Sequence, residues 1–371
     1  MDKGNWTYKQ FEDCIEKVKH TTKLQTSDYQ SYGEYPIISQ EDEMISGYWD
    51  KKEDVFNVIK PIVVFGDHTR VLKYVDFDFV LGADGVKILQ PIDALNAKFL
   101  FYYLKWSNIP SLGYSRHYKL LKEISVPVPP LPIQQRIVAE LDCISSILEK
   151  KRQQLKELDN LAQAIFYDMF GDPVENEKGW EVNSLNRIAL LKNGLNFERV
   201  DEGIKVKILG VSDFQENKKI SSKEIGYTIV SKEVEDNFYL KDNDLVFVRS
   251  NGSKSLIGRC VLINTFGEKV SFSGFCIRCR IISDKVIPQF LLSLMQEPKV
   301  KVQLTCGGRG CNIQNINQEN LGKQPVILPP LSLQQSFAAK IEAIEKQKER
   351  ISQSIKEVQT LFDSQMEVYF G

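Results

Sequence analysis

The sequence predicts an α+β chain of two mixed α/β globular domains and two long helices that pack on each other as a rod. The arrangement has pseudo-two-fold character. Three observations predict it. First, Val126–Gly171 repeats without a gap as Val326–Gly371, with 15 of 46 positions identical. Second, each copy carries apolar residues at alternating steps of four and three, the signature of a heptad seam. Third, the segments before each copy share a rhythm of strand-like runs, a short helix and polar loops. A long repeat in few copies means two equivalent units in one chain.

The elements follow in chain order as domain, helix, domain, helix: 1 to about 130, 131–171, 172 to about 328, and 329–371. In the first domain a strand-like run at Pro61–Phe65 meets the polar loop Gly66–Arg70. Phe77–Leu89 reads as further strand, and Ala97–Lys105 as helix. A Gly and polar loop, Gly113–Lys119, precedes Pro129-Pro130-Leu131 and Gln134-Gln135. The first helix carries Ile133, Ile137, Leu141, Ile144 and Leu148 on its seam, then Leu155, Leu158, Ala162, Ile165 and Met169. No Gly or Pro interrupts it, and Glu, Gln, Lys and Arg fill the remaining positions. The linker Gly171–Gly179 has breakers at both ends and leads to Trp180-Glu-Val, a counterpart of Trp6-Thr-Tyr.

The second domain repeats the order with Asp244–Val248, the loop Arg249–Lys254, strand-like Val270–Ile282, helical Pro288–Met295 and the loop Gly307–Gln314. The second helix has its seam at Leu333, Phe337, Ile341, Ile344, Ile351, Ile355, Val358, Phe362 and Tyr369. Pro132 suits a first helical turn, and Ser332 with Gln335 fits a capping box. Each helix should run roughly 37 residues, about 55 Å. Lys151 and Lys348 interrupt the two seams; polar seam residues cost stability and fix register.

Composition excludes several classes. At 371 residues, 42% hydrophobic and 26% charged, the chain is ordinary globular protein with room for two domains. No apolar run approaches a membrane span, and Met1–Asn5 is no signal peptide. A cytoplasmic protein is expected. Seven scattered cysteines fit a reducing compartment. Cys276-x-x-Cys279 and Cys306…Cys311 have zinc-like spacing. The first pair lies in the strand-like run Phe275–Ile281, however, where residues three apart face opposite ways, so no metal is expected. Net charge is −1, yet residues 249–309 carry 10 basic and 3 acidic side chains, and residues 1–59 carry 7 and 12. The basic segment is either a polyanion-binding face or an ordinary solvated surface.

Together these features resemble the specificity subunit of type I DNA restriction–modification systems, over the whole chain. The resemblance rests on the paired Pro-Pro-Leu-x-x-Gln-Gln helix starts, each leading to a long seam that ends in Phe-Gly. Tyr35-Pro-Ile-Ile-Ser-Gln40, Val64–Arg70 and Asp244–Gly252 add to it. It implies two target-recognition domains, each reading half of a split sequence in double-stranded DNA, with the helices packed as an antiparallel coiled coil. It also implies docking of two methyltransferase subunits that carry S-adenosylmethionine, and of motor–nuclease subunits, with no cofactor on this chain. In one departure, the family's circular pattern is open at Met1, with no separate segment before the first domain.

Reading DNA requires directed hydrogen-bond groups on loops that enter a groove. The first domain offers His68 and Arg70 in one loop, and Tyr114, Arg116, His117, Tyr118 and Lys119 in another. The second offers Arg249, Ser250, Asn251 and Lys254, then Arg309, Asn312 and Gln314. Arg pairs with guanine, and Asn or Gln with adenine; phosphate contact is open to each of them. Arg278 and Arg280 alternate on a strand and face either a duplex backbone or solvent.

No catalytic set assembles. The sequence has no Gly-x-x-x-x-Gly-Lys-Ser/Thr loop, no His-Glu-x-x-His and no Asn-Pro-Pro-aromatic motif. Asp76 and Asp78 alternate with Phe77 and Phe79 in an expected edge strand, and His20, His68 and His117 do not cluster with acidic or cysteine partners. A non-catalytic specificity subunit is expected. The alternatives are a stand-alone DNA-modifying enzyme with an unrecognised active site and a coiled-coil scaffold that binds proteins.

Overall fold

The computed structural model describes residues 3–4, 6–19, 22–82, 85–113, 115–214, 219–305 and 315–371, without the side chains of Arg199 and Lys254. It is a mixed α/β chain of two compact units. Unit 1 is 1–154 with 351–371, and unit 2 is 155–350. The helices α1 (Ala97–Trp106), α2 (Leu131–Phe170), α3 (Pro288–Gln296) and α4 (Leu331–Phe370) organise them. The two long helices are 40 residues each, slightly beyond the span expected from periodicity.

Unit 1 is built on the fully buried strand Ile62–Gly66, which pairs antiparallel with Leu72–Val75 on one side and Val86–Pro91 on the other. A second sheet sets Tyr35–Ile38 parallel to Phe79–Leu81. In unit 2 the buried strand Leu245–Val248 pairs antiparallel with Cys260–Asn264 and Cys276–Ile281. Its second sheet sets Arg199–Leu209 parallel to Val270–Phe272. The same strand order therefore recurs in the main sheets, with Lys219–Ser221 added at one edge in unit 2, while among the described residues the second sheet has four strands in unit 1 and three in unit 2. Each unit also has a two-stranded ladder just before its long helix starts. Thr7–Gln10 pairs with Ser125–Val128, and Glu181–Ser184 with Pro325–Leu328.

The repeated glutamines explain the Pro-Pro-Leu-x-x-Gln-Gln motif. Gln134 is fully buried. Its Nε2 donates to the carbonyls of Ala94 (2.8 Å) and Pro129 (2.6 Å), and its Oε1 accepts from Asn96 N (2.7 Å). Gln334, equally buried, donates to Lys285 O (2.9 Å) and Pro329 O (2.8 Å) and accepts from Ile287 N (2.9 Å). Asn96 and Ile287 occupy the N-cap positions of α1 and α3. One side chain thus ties the start of each long helix to the start of the helix inside its unit. Removing it strands two carbonyls and one N–H in the interior. Gln134→Ala or Gln334→Ala should therefore destabilise its own unit by on the order of 3 kcal/mol, read by urea denaturation. A loss under about 0.5 kcal/mol, the range of ordinary surface changes, would show that water replaces the clamp.

The Phe-Gly ends are equally specific. Phe170 is buried against Phe290 and Phe337, with centroids 4.8 and 5.1 Å away, and Phe370 packs on Phe99 at 5.4 Å. Gly171 has φ +73°, the left-handed conformation that ends a helix and favours glycine. Lys178 Nζ completes that end by donating to Met169 O at 3.1 Å.

Within unit 1, Ile137, Leu141 and Leu148 of α2 share a core with Phe362, Met366 and Tyr369 of α4. Within unit 2, Phe166 and Phe170 share one with Phe337, Ile341 and Ile344. Lys348 donates across to Asp159 at 2.9 Å, so this seam lysine is answered by a carboxylate. Two local expectations change. Helix α4 begins at Leu331, one residue before Ser332, so Ser332 lies inside the first turn and is not the cap. Asp76 and Asp78 lie in the bend between Leu72–Val75 and Phe79–Leu81, where Asp78 Oδ1 accepts from Val58 N at 2.7 Å. They are not strand residues.

Candidate nucleic-acid interface

In unit 1 the two loops singled out from sequence are stitched together by Asp67, which is 2% exposed. Its carbonyl accepts from His117 N (2.8 Å) and lies 2.9 Å from His117 Nδ1, while its Oδ1 accepts from Tyr118 N at 2.7 Å. Gln40 joins them. Its Oε1 accepts from His68 N at 3.3 Å, and its carbonyl accepts from Thr69 Oγ1 at 2.6 Å. Gly85, at φ +95°, leaves room for Gln40 and His68; a Cβ there would sit 2.8 Å from Gln40 Oε1. The segments around 40, 66–70, 85, 109–113 and 115–119 are therefore drawn together.

The expected readers divide. Arg116 and Lys119 are exposed, and His68 is half-buried. Arg70 adopts φ +65° and its guanidinium donates to Ile109 O at 2.8 Å, so part of its capacity holds the neighbouring loop. His117 departs from the expected role. It is 0% exposed, and its Nε2 accepts from Leu112 N at 3.0 Å while Nδ1 faces Asp67 O. With both nitrogens used inside the chain, the ring pins the loop and presents nothing to a groove. Tyr114 lies outside the described residues.

In unit 2, Arg249 leaves the buried strand Leu245–Val248 with its backbone held on both sides: its N donates to Phe275 O (2.8 Å) and its O accepts from Ile316 N (2.9 Å). Ser250 bridges to Asn315, and Asn251 Oδ1 accepts from Ser253 N at 2.8 Å. Ser250 and Asn251 line a cleft of about 1100 Å³ with Asn196, Thr228 and the exposed rings of Tyr227 and Phe275. Those partners gave no signal in sequence, because isolated aromatic and amide residues on separate strands have no shared spacing. The Lys254 side chain, Arg309, Asn312 and Gln314 lie outside the described residues, as do Cys306 and Cys311 of the second cysteine pair and His20.

Among the described residues, four cations of the basic segment 249–309 are ion-paired within the unit. Arg280 makes a two-pronged contact with Asp244 (2.8 and 2.6 Å). Arg278 is 6% exposed and donates to Asn237 O at 3.0 Å. Arg278 is thus buried, and Arg280, about a quarter exposed, is committed to Asp244. Lys269, Lys285 and Lys299 pair with Asp236, Glu181 and Asp172. The acidic partners lie outside the window in sequence, so a linear charge count could not find them. Cys276 and Cys279 enter two different cores and cannot share one ion. Burial pushes both thiols up to about 12, away from the thiolate a metal needs.

The fold and these loop clusters define a class: a duplicated recognition scaffold, one frame carrying two different sets of exposed polar groups. The type I restriction modification DNA specificity domain matches residues 3–159 and 177–360, and the chain belongs to this family. Among similar proteins, the type I restriction enzyme StySPI specificity subunit of Salmonella potsdam is 23% identical, over 82% of this chain and 69% of that protein. The EcoKI specificity subunit of Escherichia coli K12 is 21% identical, over 69% and 60%. The crystal structure of the type I restriction–modification S subunit from M. genitalium aligns with a TM-score of 0.55 at 15% identity, covering 98% of this chain and 95% of that one, which is a likeness of fold. Among the described residues no helix is long and apolar enough to cross a membrane.

Proposed function

We propose that this chain is the DNA-specificity subunit of a type I restriction–modification complex, with each unit reading one half of a split duplex target. The observation that carries the reading is the doubled clamp. Gln134 and Gln334 make the same three hydrogen bonds in two units whose main sheets share a strand order, while the loop sequences 66–70 and 113–119 differ from 249–254 and 307–314. Shared frame with divergent loops is what two specificities on one molecule require. In this reading α2 and α4 form an antiparallel coiled coil with pseudo-two-fold character. They hold the readers apart and dock two methyltransferase subunits. S-adenosylmethionine is bound by those partners, and motor–nuclease subunits complete the assembly. The chain itself makes or breaks no covalent bond.

Methylome sequencing of the host tests this. Deleting the gene should abolish methylation at one split motif. Arg249→Ala or Arg309→Ala should relax the base preference of one half only, and Arg116→Ala the other; a lost two-pronged base contact costs about 1–3 kcal/mol. His117→Ala should lower the melting temperature of unit 1 and, by releasing the loop that carries Arg116, weaken recognition of that half while leaving the other half's preference intact. Change in both halves from a substitution in one unit would refute separate reading.

A further inference from the structure

Unit 1 contains a groove of about 440 Å³ whose walls include Lys17, Lys23, Lys87 and Tyr118. Lys17 and Lys23 come from a segment that is net acidic in sequence, and Lys87 from the strand Val86–Pro91. Two carboxylates also line the groove, and both are engaged elsewhere. Glu12 pairs with Lys122 at 2.6 Å, and Glu16 pairs with Lys60 at 3.0 Å and accepts from Gln90 at 2.6 Å. Among the described residues no carboxylate lies within ion-pair distance of Lys17, Lys23 or Lys87. Lys87 Nζ stands 5.4 Å from the centre of the Tyr118 ring. Among the described residues these three ammonium groups have no ion-pair partner, while Glu12 and Glu16 are already paired with Lys122 and Lys60, so the groove favours a ligand that brings negative charge.

The groove adjoins the readers. Tyr118 forms its wall, and the same residue's N–H is held by Asp67 of the 66–70 loop. Arg116 and Lys119, both exposed, flank Tyr118 in sequence. An anion seated on the three lysines therefore lies beside the loops proposed to face bases. Lysine ammonium groups are point charges with no fixed fork, suited to phosphate and not to a particular base edge.

Resting on the DNA reading above, we infer that Lys17, Lys23 and Lys87 form a phosphodiester-backbone subsite that seats the duplex against unit 1 without reading its sequence. The test is a fluorescence-anisotropy titration of the full chain against two fluorescent duplexes of unrelated sequence, across a series of salt concentrations. Each phosphate contact contributes about 0.9 to the slope of log affinity against log salt. The triple Lys17→Gln, Lys23→Gln, Lys87→Gln variant should lose roughly 2.7 from that slope. On the same relation its affinity should fall on the order of 100-fold at about 0.15 M salt, equally for both duplexes. The three single variants should each lose about 0.9, which serves if the triple fails to fold. A control with the same charge change, Lys51→Gln, Lys52→Gln, Lys150→Gln, should keep the wild-type slope.

An unchanged slope in the triple, beside salt-dependent wild-type binding, overturns the subsite and leaves the DNA reading standing. So does a control that falls as far as the triple, since net charge then explains the loss. A loss confined to one duplex overturns the sequence-independent role. Absence of any salt-dependent binding by the wild type overturns both.

Discussion

Replacing Phe337 with alanine should destabilise unit 2 by roughly 3–5 kcal/mol, the cost of truncating a buried phenylalanine in a core that cannot collapse onto the gap. Phe337 is 0% exposed and packs on Phe170, Phe166 and Phe290, with centroids at 5.1, 5.7 and 6.5 Å. Those rings come from the end of α2 and the first turn of α3, so the cavity would open where three helices meet. The neighbours are themselves large and interlocked, which leaves little freedom to relax. In unit 1 the corresponding position is Ile137, also 0% exposed; Ile137→Ala should cost about 2–5 kcal/mol there. Because a chain of two units need not unfold in one step, the measurement is hydrogen exchange by segment. Phe337→Ala should raise exchange at 185–191 and 288–296 and spare 62–66 and 97–106. Equal loss of protection in both units would show that they unfold as one, and no loss in unit 2 would remove Phe337 from its core.

The second large effect concerns spacing. Helix α2 passes from unit 1 to unit 2 at Gln154, and α4 returns from unit 2 to unit 1 at Arg350. Under the proposed antiparallel pairing, a seven-residue insertion after each of these positions adds two turns while leaving both unit cores and the heptad phase unchanged. The rod should lengthen by about 10 Å, close to three base pairs at about 3.4 Å each. Both half-site preferences should survive, and the preferred spacer should grow by up to about three base pairs. Methylation of a spacer-length library reads this directly. An active insertion variant that kept the original spacer would show that something other than the helices sets the distance.

Much of the frame was legible because it repeats. The heptad pattern located both helices to within two residues, and the apolar runs at 61–65 and 244–248 are the central strands of the two main sheets. The pattern failed where a helix serves two surfaces. Phe166 and Met366 lie off the seam, yet are buried, because each helix end packs on its unit as well as on the other helix. A narrow stripe becomes a broad face there, and a single period cannot describe both.

The sequence by itself determined the duplication, the order of domains and helices, and the family resemblance. Each rests on periodicity, identity at fixed offset or local chain chemistry, which are linear properties. Tertiary structure alone decided the chemistry of individual side chains. Arg278 and Arg280 resemble duplex-facing cations until Asp244 and the carbonyls at 237 and 239 fold against them. His117 resembles a reader until the backbone of Asp67 and Leu112 encloses it. Lys17 and Lys23 sit in an acidic stretch, yet their neighbouring glutamates turn to Lys60 and Lys122. Whether a charge is free depends on partners 30 or more residues away, whose approach is set by packing and whose field falls off within angstroms.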